Sequence, residues 1–232
     1  MRALARPDGT AAVMRAQRVL GRVSADLAAD ENPDSAPNDV WLVAGYCLRM
    51  SREPAVSGLF TEAALAAVLP RDVGYPRVLA TGSEDGHEWI LTERLPGHNL
   101  WDSWPILTPE QRLAAIDDLW RRCLALQRTD PAGLAELSLP PHPRYRFTVA
   151  DAADQLRLLV ESEVLAEPLA SPLWTLIERG LEAIRLVPWR LAHGDPAFSN
   201  AQCHDGRVIG LLDVETACIA PGDADLQPLL RM

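Results

Sequence analysis

The sequence has 232 residues, of which 48% are hydrophobic and 23% charged, a composition typical of one globular domain or two small lobes. Its formal net charge is −10 and every basic residue is an arginine, so it offers no basic patch for nucleic acid, and no apolar run approaches a membrane span. The four cysteines form no close pair of the kind that binds zinc, and we expect a reducing, cytoplasmic location.

The first part of the sequence predicts a small antiparallel sheet accompanied by helices. Apolar residues at three- and four-residue spacings predict a helix over Thr10–Ala29. The polar, proline-containing segment Asp30–Asn38 follows, and it is either an ordinary connection or a loop that closes over a ligand. A short helix is predicted over Phe60–Leu69 from its helix-forming residues. Four strands are predicted, over Val40–Val43, Tyr46–Met50, Arg77–Thr81 and Glu88–Thr92.

The second part of the sequence is predicted to be mainly helical. A linker with proline and glycine, Glu93–Gly97, separates it from the strands. Thr108 with Gln111 three residues later is a capping-box pattern, which indicates the start of a helix. The predicted helices span Pro109–Arg128, Thr148–Leu165 and Ser171–Leu186, with a proline-rich loop over Thr129–Arg146. We therefore expect an α+β fold of two lobes, with residues 1–95 in the first and 96–232 in the second.

The helix predicted over Thr148–Leu165 is acidic. Together with the residues that follow, it carries the carboxylates of Asp151, Asp154, Glu161, Glu163 and Glu167. Such a face is most often a solvated surface, and the alternative is a binding surface for a cationic substrate.

Polar residues lie at the ends of short apolar runs near the end of the chain. They are His193, Asp195, Asn200, Asp213 and Glu215. Two acids and an amide in this setting predict a Mg²⁺ site, because Mg²⁺ prefers hard oxygen ligands and shares its coordination with substrate phosphates. A third acid nearby would be available to receive a proton. The alternative is a pair of surface turns with unrelated acids.

These residues resemble the catalytic and metal-binding loops of the aminoglycoside phosphotransferase and choline-kinase-like family. His193-Gly194-Asp195 precedes Asn200, and Leu-Leu-Asp-Val-Glu follows at Leu211–Glu215. Upstream blocks resemble the small-lobe strands, the helix glutamate and the hinge of that family, at Asn38–Trp41, Leu48–Met50, Glu62 and Thr92–Gly97. The resemblance implies a two-lobed protein-kinase-like fold, with a small antiparallel-sheet N-lobe and a mainly helical C-lobe.

The resemblance implies phosphoryl transfer and a role for each matching residue. Asp195 would accept or orient the proton of the attacking hydroxyl. Asn200 and Asp213 would hold Mg²⁺ against the nucleotide phosphates. Arg49, where the family often has lysine, would pair with those phosphates and be fixed in place by Glu62.

Further matching residues are expected to bind the nucleotide or to support the loops. The carbonyl of Thr92 and the N–H of Arg94 would meet the base at the hinge, and Ser35–Asn38 would cover the phosphates. His193 would brace the catalytic loop through hydrogen bonds, and Glu215 would orient the metal ligands.

The sequence departs from the family pattern at three places. Phe198-Ser199 stands where many relatives have Pro-Gly or Pro-Trp, and Gln127 stands where relatives often have histidine. Seven residues follow Asp225, whereas relatives usually continue through several helices that wall the acceptor site. We therefore expect a C-lobe that is shortened at the C-terminus and exposes apolar surface, which a homodimer partner or the N-terminal helix would cover.

The sequence thus predicts a small-molecule kinase with Mg²⁺ as its cofactor. It would transfer the γ-phosphate of ATP or GTP to a hydroxyl of an aminoglycoside-like antibiotic or of another polar metabolite, including cationic ones. Two alternatives stay open. One is a catalytically impaired kinase-like protein that binds nucleotide or a protein partner, and the other is a metabolic kinase similar to choline or homoserine kinases.

Overall fold

A computed structural model of the chain describes residues 9–23, 38–43, 45–54, 58–137, 139 and 148–226. The predicted phosphate cover at Ser35 lies outside these ranges, as do residues 24–29 of the predicted first helix and residues 138 and 140–146 of the predicted loop at 129–146.

The N-lobe is built on an antiparallel sheet with the strand order β1-β2-β4-β3. Its strands are β1 (Asn38–Val43), β2 (Tyr46–Ser51), β3 (Val78–Glu84) and β4 (His87–Glu93). They confirm the four predicted strands and differ from them only near the ends. The ends were misplaced because apolar patterning locates the middle of a strand better than its last hydrogen-bonded pair. Strands β1 and β2 form a hairpin, and Gly45 between them has a φ of 80°.

The N-terminal helix α1 (Gly9–Val23) packs on this sheet. Its inward residues Ala16, Val19 and Leu20 are buried in one cluster with strand residues of the sheet. Arg22 forms an ion pair of 2.8 Å with Glu84, which holds the helix against the end of β3. The expectation that this helix covers apolar surface of the C-lobe is therefore wrong, because its apolar stripe is already buried in the N-lobe.

Helix α2 (Leu59–Ala66) follows the first hairpin and is shorter than predicted. After Ala66 the backbone turns instead of continuing the helix, and the N–H of Val68 donates to the carbonyl of Leu65. The inward face of α2 buries two leucines and one acid, Glu62. A carboxylate on a buried helix face requires partners, since an unpaired charge in the interior is costly.

The C-lobe is mainly helical, as predicted. Its helices are α3 (Leu100–Ser103), α4 (Pro109–Leu126), α5 (Pro131–Ala135), α6 (Val149–Glu161) and α7 (Glu167–Leu186). The predicted capping box is present at the start of α4, where the Thr108 hydroxyl accepts from the N–H of Gln111. The short helix α5 was predicted as loop, and its signal is local: Asp130 caps it and Pro131 occupies its first turn.

Short strands carry the segment that contains the predicted catalytic residues. They are β5 (His98–Asn99), β6 (Trp189–Ala192), β7 (Ala201–His204), β8 (Arg207–Leu211) and β9 (Cys218–Pro221). Strands β5, β7 and β8 form one antiparallel sheet, and β6 pairs with β9. This segment packs on the buried face of α4, with Leu119 and Leu126 in one cluster with Leu191, Phe198 and Leu211. The core of the C-lobe therefore lies directly behind the catalytic segment.

The outer helices α6 and α7 of the C-lobe, and the turn between them, expose apolar side chains. These include Leu158, Val164, Leu169, Leu176 and Leu186. In the part of the chain that the structure describes, no helix combines the length and the apolar character that crossing a bilayer requires.

The two lobes meet closely where residues 71–75 lie against β8. Gly74 has a φ of 71°, and a Cβ built there would overlap the Ile209 carbonyl oxygen and the Arg122 guanidinium. Arg122 also donates to the carbonyl oxygens of Asp72 at 3.0 Å and Val208 at 2.8 Å. Glycine is therefore required at residue 74 by both its backbone conformation and its close approach to β8.

We expect Gly74→Ala to lower the free energy of unfolding by about 3 kcal/mol, because a left-handed alanine costs roughly 1 kcal/mol and an overlapping methyl group a further ~1–3 kcal/mol. Gly45→Ala is the matched control, since its φ is also positive but no described atom lies within 4 Å of a Cβ there. Urea denaturation of both variants measures the difference, and equal losses would show that the contact with β8 is not tight.

Candidate active site

Arg49 joins the two lobes through its guanidinium. It lies on β2, and its Nη1 donates to both carboxylate oxygens of Glu62 on α2, each at 2.7 Å. Its Nη2 donates to Oδ1 of Asp213 in the C-lobe at 2.6 Å. Arginine suits this position because its planar fork reaches two carboxylates at once, whereas the single ammonium of lysine is a point charge.

The charge of Arg49 is maintained by the acids around it. Burial opposes the charged form, but the carboxylates of Glu62 and Asp213 outweigh burial and raise the pKa of Arg49 above its ordinary value. Glu62 itself is fully buried, at 0% exposure. It accepts further hydrogen bonds from the hydroxyl of Tyr75 at 2.8 Å and from the N–H of Val214 at 3.2 Å. The buried carboxylate is therefore fully satisfied by its partners.

Three carboxylates lie close together around Arg49 at the junction of the lobes. Oxygens of Glu62, Asp213 and Glu215 lie within 4.8 Å of one another. The guanidinium of Arg49 offsets one of these charges, so two negative charges remain when all groups are ionised. Burial, and then the charge of Asp213, raise the pKa of Glu215 above its ordinary value. The arrangement of oxygens and charge suits one divalent cation with a preference for hard ligands.

The backbone at Asp213 places its side chain in this group. Asp213 follows β8 and adopts the left-handed conformation, with a φ of 62° and a ψ of 55°. Aspartate tolerates this conformation better than most residues, although a cost remains. The next residues, Val214–Thr216, form one turn of 3₁₀ helix that returns the chain to β9. The sharp turn thus presents both Asp213 and Glu215 at the junction of the lobes.

The catalytic loop after β6 is held by a buried aspartate. Asp225 accepts from the N–H groups of His193 at 2.8 Å and Gly194 at 3.0 Å. Nε2 of His193 lies 2.8 Å from the carbonyl oxygen of Leu212 and must carry the proton there. Nδ1 is then the acceptor for the N–H of Asp195 at 3.3 Å. Both ring nitrogens of His193 therefore contact the backbone on either side of the site.

Asp195 and Asn200 lie next to each other at the mouth of this loop. The side-chain amide of Asn200 donates to the carbonyl of Asp195 at 2.9 Å and to its carboxylate at 3.3 Å. The N–H of Leu212, the residue before Asp213, donates to the carbonyl of Asn200 at 2.8 Å. The two predicted metal ligands, Asn200 and Asp213, thus lie on adjoining segments. Asp195 is exposed, so its carboxylate is open to a substrate.

The predicted nucleotide-binding residues differ in their surroundings and hydrogen-bond partners. Asn38 is buried at the start of β1 and donates to Glu215 at 2.9 Å, which links the N-lobe to the acid group. Thr92 is buried in β4 at the hinge. The N–H of Arg94 donates to the carbonyl of Gly45 at 3.0 Å. The predicted contact of that N–H with the base therefore does not fit the observed geometry, because the group is already donated within the N-lobe.

Sequence reasoning missed two residues that support the site. Tyr75 follows Gly74 in a loop, where a tyrosine carries no functional signal of its own. Nothing near Asp225 in sequence predicts that it binds the backbone of residues 193 and 194. Both contacts join distant segments of the chain.

An arginine that joins a helix glutamate to an acid following the catalytic loop, between two lobes, is the arrangement of protein-kinase-like phosphotransferases. The model of the phosphotransferase enzyme family (APH) matches residues 30–232. The chain therefore belongs to this family.

Two relatives carry the name aminoglycoside 3'-phosphotransferase. The one from Streptomyces fradiae is 29% identical over 158 residues, which are 65% of this chain and 55% of that protein. The one from Streptomyces ribosidificus is 28% identical over 163 residues, 66% of this chain and 57% of that protein. The match thus spans little more than half the length of these relatives.

The fold is also that of solved aminoglycoside phosphotransferases. The GDP complex of aminoglycoside 2'-phosphotransferase-IIIa superposes with a TM-score of 0.72, covering 97% of this chain and 78% of that one at 18% identity. This likeness confirms the kinase-like two-lobed fold predicted from the sequence.

We expect Arg49→Met to lower the free energy of unfolding by roughly 3–5 kcal/mol, because it leaves the buried Glu62 carboxylate without its cation. Adding Glu62→Gln should recover most of this loss, since the amide is uncharged and still accepts hydrogen bonds. Urea denaturation at pH 7 measures both variants.

Arg52→Met is the matched control on the same hairpin. Arg52 pairs with Asp39 at 2.9 Å, but its side chain is 33% exposed, so the loss should be less than about 1 kcal/mol. If the double variant is as unstable as Arg49→Met alone, charge burial is not the cause.

Proposed function

We propose that this chain is a Mg²⁺-dependent small-molecule kinase that moves the γ-phosphate of ATP or GTP to a hydroxyl group. The observation that carries the proposal is the Arg49 bridge between Glu62 and Asp213, next to the loop of Asp195 and Asn200. Phosphoryl transfer depends mainly on positioning and on neutralising charge, and this arrangement supplies both.

The chain's own residues divide the work between donor and acceptor. Arg49 is placed to bind nucleotide phosphates while Glu62 keeps its guanidinium in position. Asn200 and Asp213 would hold Mg²⁺, and Glu215 would orient them. When bound, Mg²⁺ supplies charge neutralisation on the β- and γ-phosphates. The fit rests on the clustered oxygens of Asp213 and Glu215, whose charges remain once Arg49 has paired with Glu62.

Asp195 would receive the proton. In the proposed step the acceptor oxygen bonds to the γ-phosphorus, the bond from that phosphorus to the β–γ bridging oxygen breaks, and the hydroxyl proton passes to Asp195. The carboxylate is held by the amide of Asn200 and by the braced loop backbone. It is therefore oriented before an acceptor binds, while one side stays open to solvent.

The acceptor class is proposed from the named relatives. The two Streptomyces relatives are aminoglycoside 3'-phosphotransferases, which supports an aminoglycoside-like antibiotic or a similar polar, hydroxylated amine as acceptor.

The acidic helix α6 contributes less to binding a cationic acceptor than its composition indicates. Arg157 pairs with Asp154 at 2.9 Å and lies 3.8 Å from Glu161, and Asp151 caps its own helix through Thr148. Most of the acidic charge on α6 is therefore engaged within the helix, which favours the solvated-surface interpretation.

Two further expectations belong to the proposal. The exposed apolar side chains of α6, of α7 and of the turn between them are the surface on which a homodimer would rest. The cytoplasmic location predicted from the cysteines is also retained, since small-molecule kinases use cytoplasmic nucleotide.

We expect Asp195→Asn to lower kcat by about 10²–10⁴-fold, the usual contribution of a positioned acid or base. The assay measures phosphate transfer from ATP or GTP, with Mg²⁺, to a panel of aminoglycosides and other hydroxylated amines. Asp205→Asn is the matched control, because Asp205 lies in the exposed turn between β7 and β8 and loses the same charge. Its kcat should be unchanged.

The panel also separates the alternatives. Transfer to choline-like or homoserine-like acceptors only would favour a metabolic kinase. Nucleotide binding without transfer to any acceptor would instead favour the catalytically impaired alternative and contradict the proposal.

We expect Asp213→Asn to weaken Mg²⁺-dependent nucleotide binding at least about tenfold, because a neutral amide is a poorer ligand for a hard cation. Asparagine tolerates the left-handed conformation, so the backbone turn is preserved. Calorimetric titration with nucleotide at several Mg²⁺ concentrations measures the effect. An unchanged dependence on Mg²⁺ would remove Asp213 from the proposed metal site.

A further inference from the structure

Tyr75 contacts the buried glutamate of the candidate active site, Glu62. It lies in the segment between the 3₁₀ turn Arg71–Val73 and β3, and its hydroxyl donates to Oε1 of Glu62 at 2.8 Å. Burial, and then the negative charge of Glu62, raise the pKa of Tyr75 well above its ordinary value. The hydroxyl therefore keeps its proton and acts as a hydrogen-bond donor.

The backbone on the N-terminal side of Tyr75 is fixed to the C-lobe. Gly74 lies so close to β8 that a side chain there would overlap the carbonyl oxygen of Ile209. Arg122 of α4 clamps the same place, since its Nη1 donates to the carbonyl of Asp72 at 3.0 Å and its Nε to the carbonyl of Val208 at 3.0 Å. Tyr75 therefore extends from a backbone segment that the C-lobe holds in place.

Glu62 needs such an anchor because its helix is short. Helix α2 has eight residues, and its N-cap Gly58 makes no side-chain capping bond. The Glu62 carboxylate has three described donors, which are Arg49, Tyr75 and the N–H of Val214. Arg49 is the partner that must be positioned toward the nucleotide. The remaining two donors hold the carboxylate in place from the C-lobe side.

The hydroxyl of Tyr75 matters more than its ring for this contact. The ring is only partly buried and lines a surface cavity of about 390 Å³ beside α2. A phenylalanine would fill the same space equally well. The tyrosine hydroxyl instead lies inside the protein and donates to Oε1 of Glu62, which also accepts from Arg49 and from the N–H of Val214.

We propose that Tyr75 is a positioning residue for phosphoryl transfer, which through Glu62 fixes Arg49 relative to the C-lobe. The expected effect of Tyr75 on kcat rests on the proposed kinase function. The expected anchoring of Glu62 rests on the hydrogen bonds alone. Tyr75 does not contact the reacting atoms. Its effect is transmitted by one hydrogen bond to Glu62 and by the ion pair from Glu62 to Arg49.

A double-mutant cycle on kcat tests the proposal. We expect Tyr75→Phe to lower kcat about tenfold, because a small misplacement of a phosphate-binding group slows transfer. The KM for the acceptor should change less than about twofold, since the acceptor does not touch this contact. In a Glu62→Ala background, or Glu62→Gln if the alanine variant does not fold, Tyr75→Phe should change kcat less than about twofold.

Tyr46→Phe is the matched control. Tyr46 packs in the cluster beneath α1, on another part of the N-lobe, so loss of its hydroxyl should leave kcat unchanged. Two results would overturn the inference. One is a Tyr75→Phe variant with the kcat of the unmodified protein. The other is a loss of kcat that is fully additive with the Glu62 substitution, which would mean that Tyr75 acts by another route.

Amide hydrogen exchange within α2 tests the anchoring of Glu62 without relying on kinase activity. Tyr75→Phe should speed exchange within α2, whereas Tyr46→Phe should not. If the unmodified protein transfers phosphate to no acceptor, the proposed function fails, and faster exchange in α2 would still support the anchor. Unchanged exchange in α2 would overturn the inference even in an active kinase.

Discussion

The arginine at residue 49 is the interaction on which the rest of the site depends. Three carboxylates meet at the junction of the lobes, and without a cation their mutual repulsion and their burial would both oppose folding. The fork of Arg49 compensates Glu62 from β2 and at the same time binds Asp213 of the C-lobe. One side chain thus stabilises the N-lobe helix, closes the lobes on each other and sets the charge that a metal ion would meet.

The surrounding backbone makes this arrangement rigid. Asp213 is held in a left-handed turn, and Asp225 binds the N–H groups that open the catalytic loop. These contacts leave the exposed carboxylate of Asp195 on a fixed support, with Asn200 beside it. A carboxylate with one braced side and one open side suits proton transfer from an entering substrate better than one that is mobile or fully buried.

The lobes are joined at two levels that serve different purposes. At the rear, Gly74 and Arg122 bring backbone against backbone at β8, which fixes the distance between the lobes. At the front, charged side chains meet, and these are the groups that a nucleotide would engage. The outer helices α6 and α7 take no part in either contact among the described residues and carry exposed apolar side chains instead.

The sequence alone determined the elements whose signals are local. Strand patterning and the Thr108 capping box are such local signals, and they predicted an α+β fold of two lobes. The motif of Asp195, Asn200 and Asp213 spans a few tens of residues, and its resemblance to a known family implied the kinase-like fold and the family. Only the tertiary structure decided that α1 covers the N-lobe sheet, that the Arg94 N–H is donated to Gly45, and that Tyr75 and Asp225 support the site. Those contacts join segments distant in sequence, so no local periodicity or capping rule encodes them. They exist because packing brings a buried charge and the donors that satisfy it to the same place.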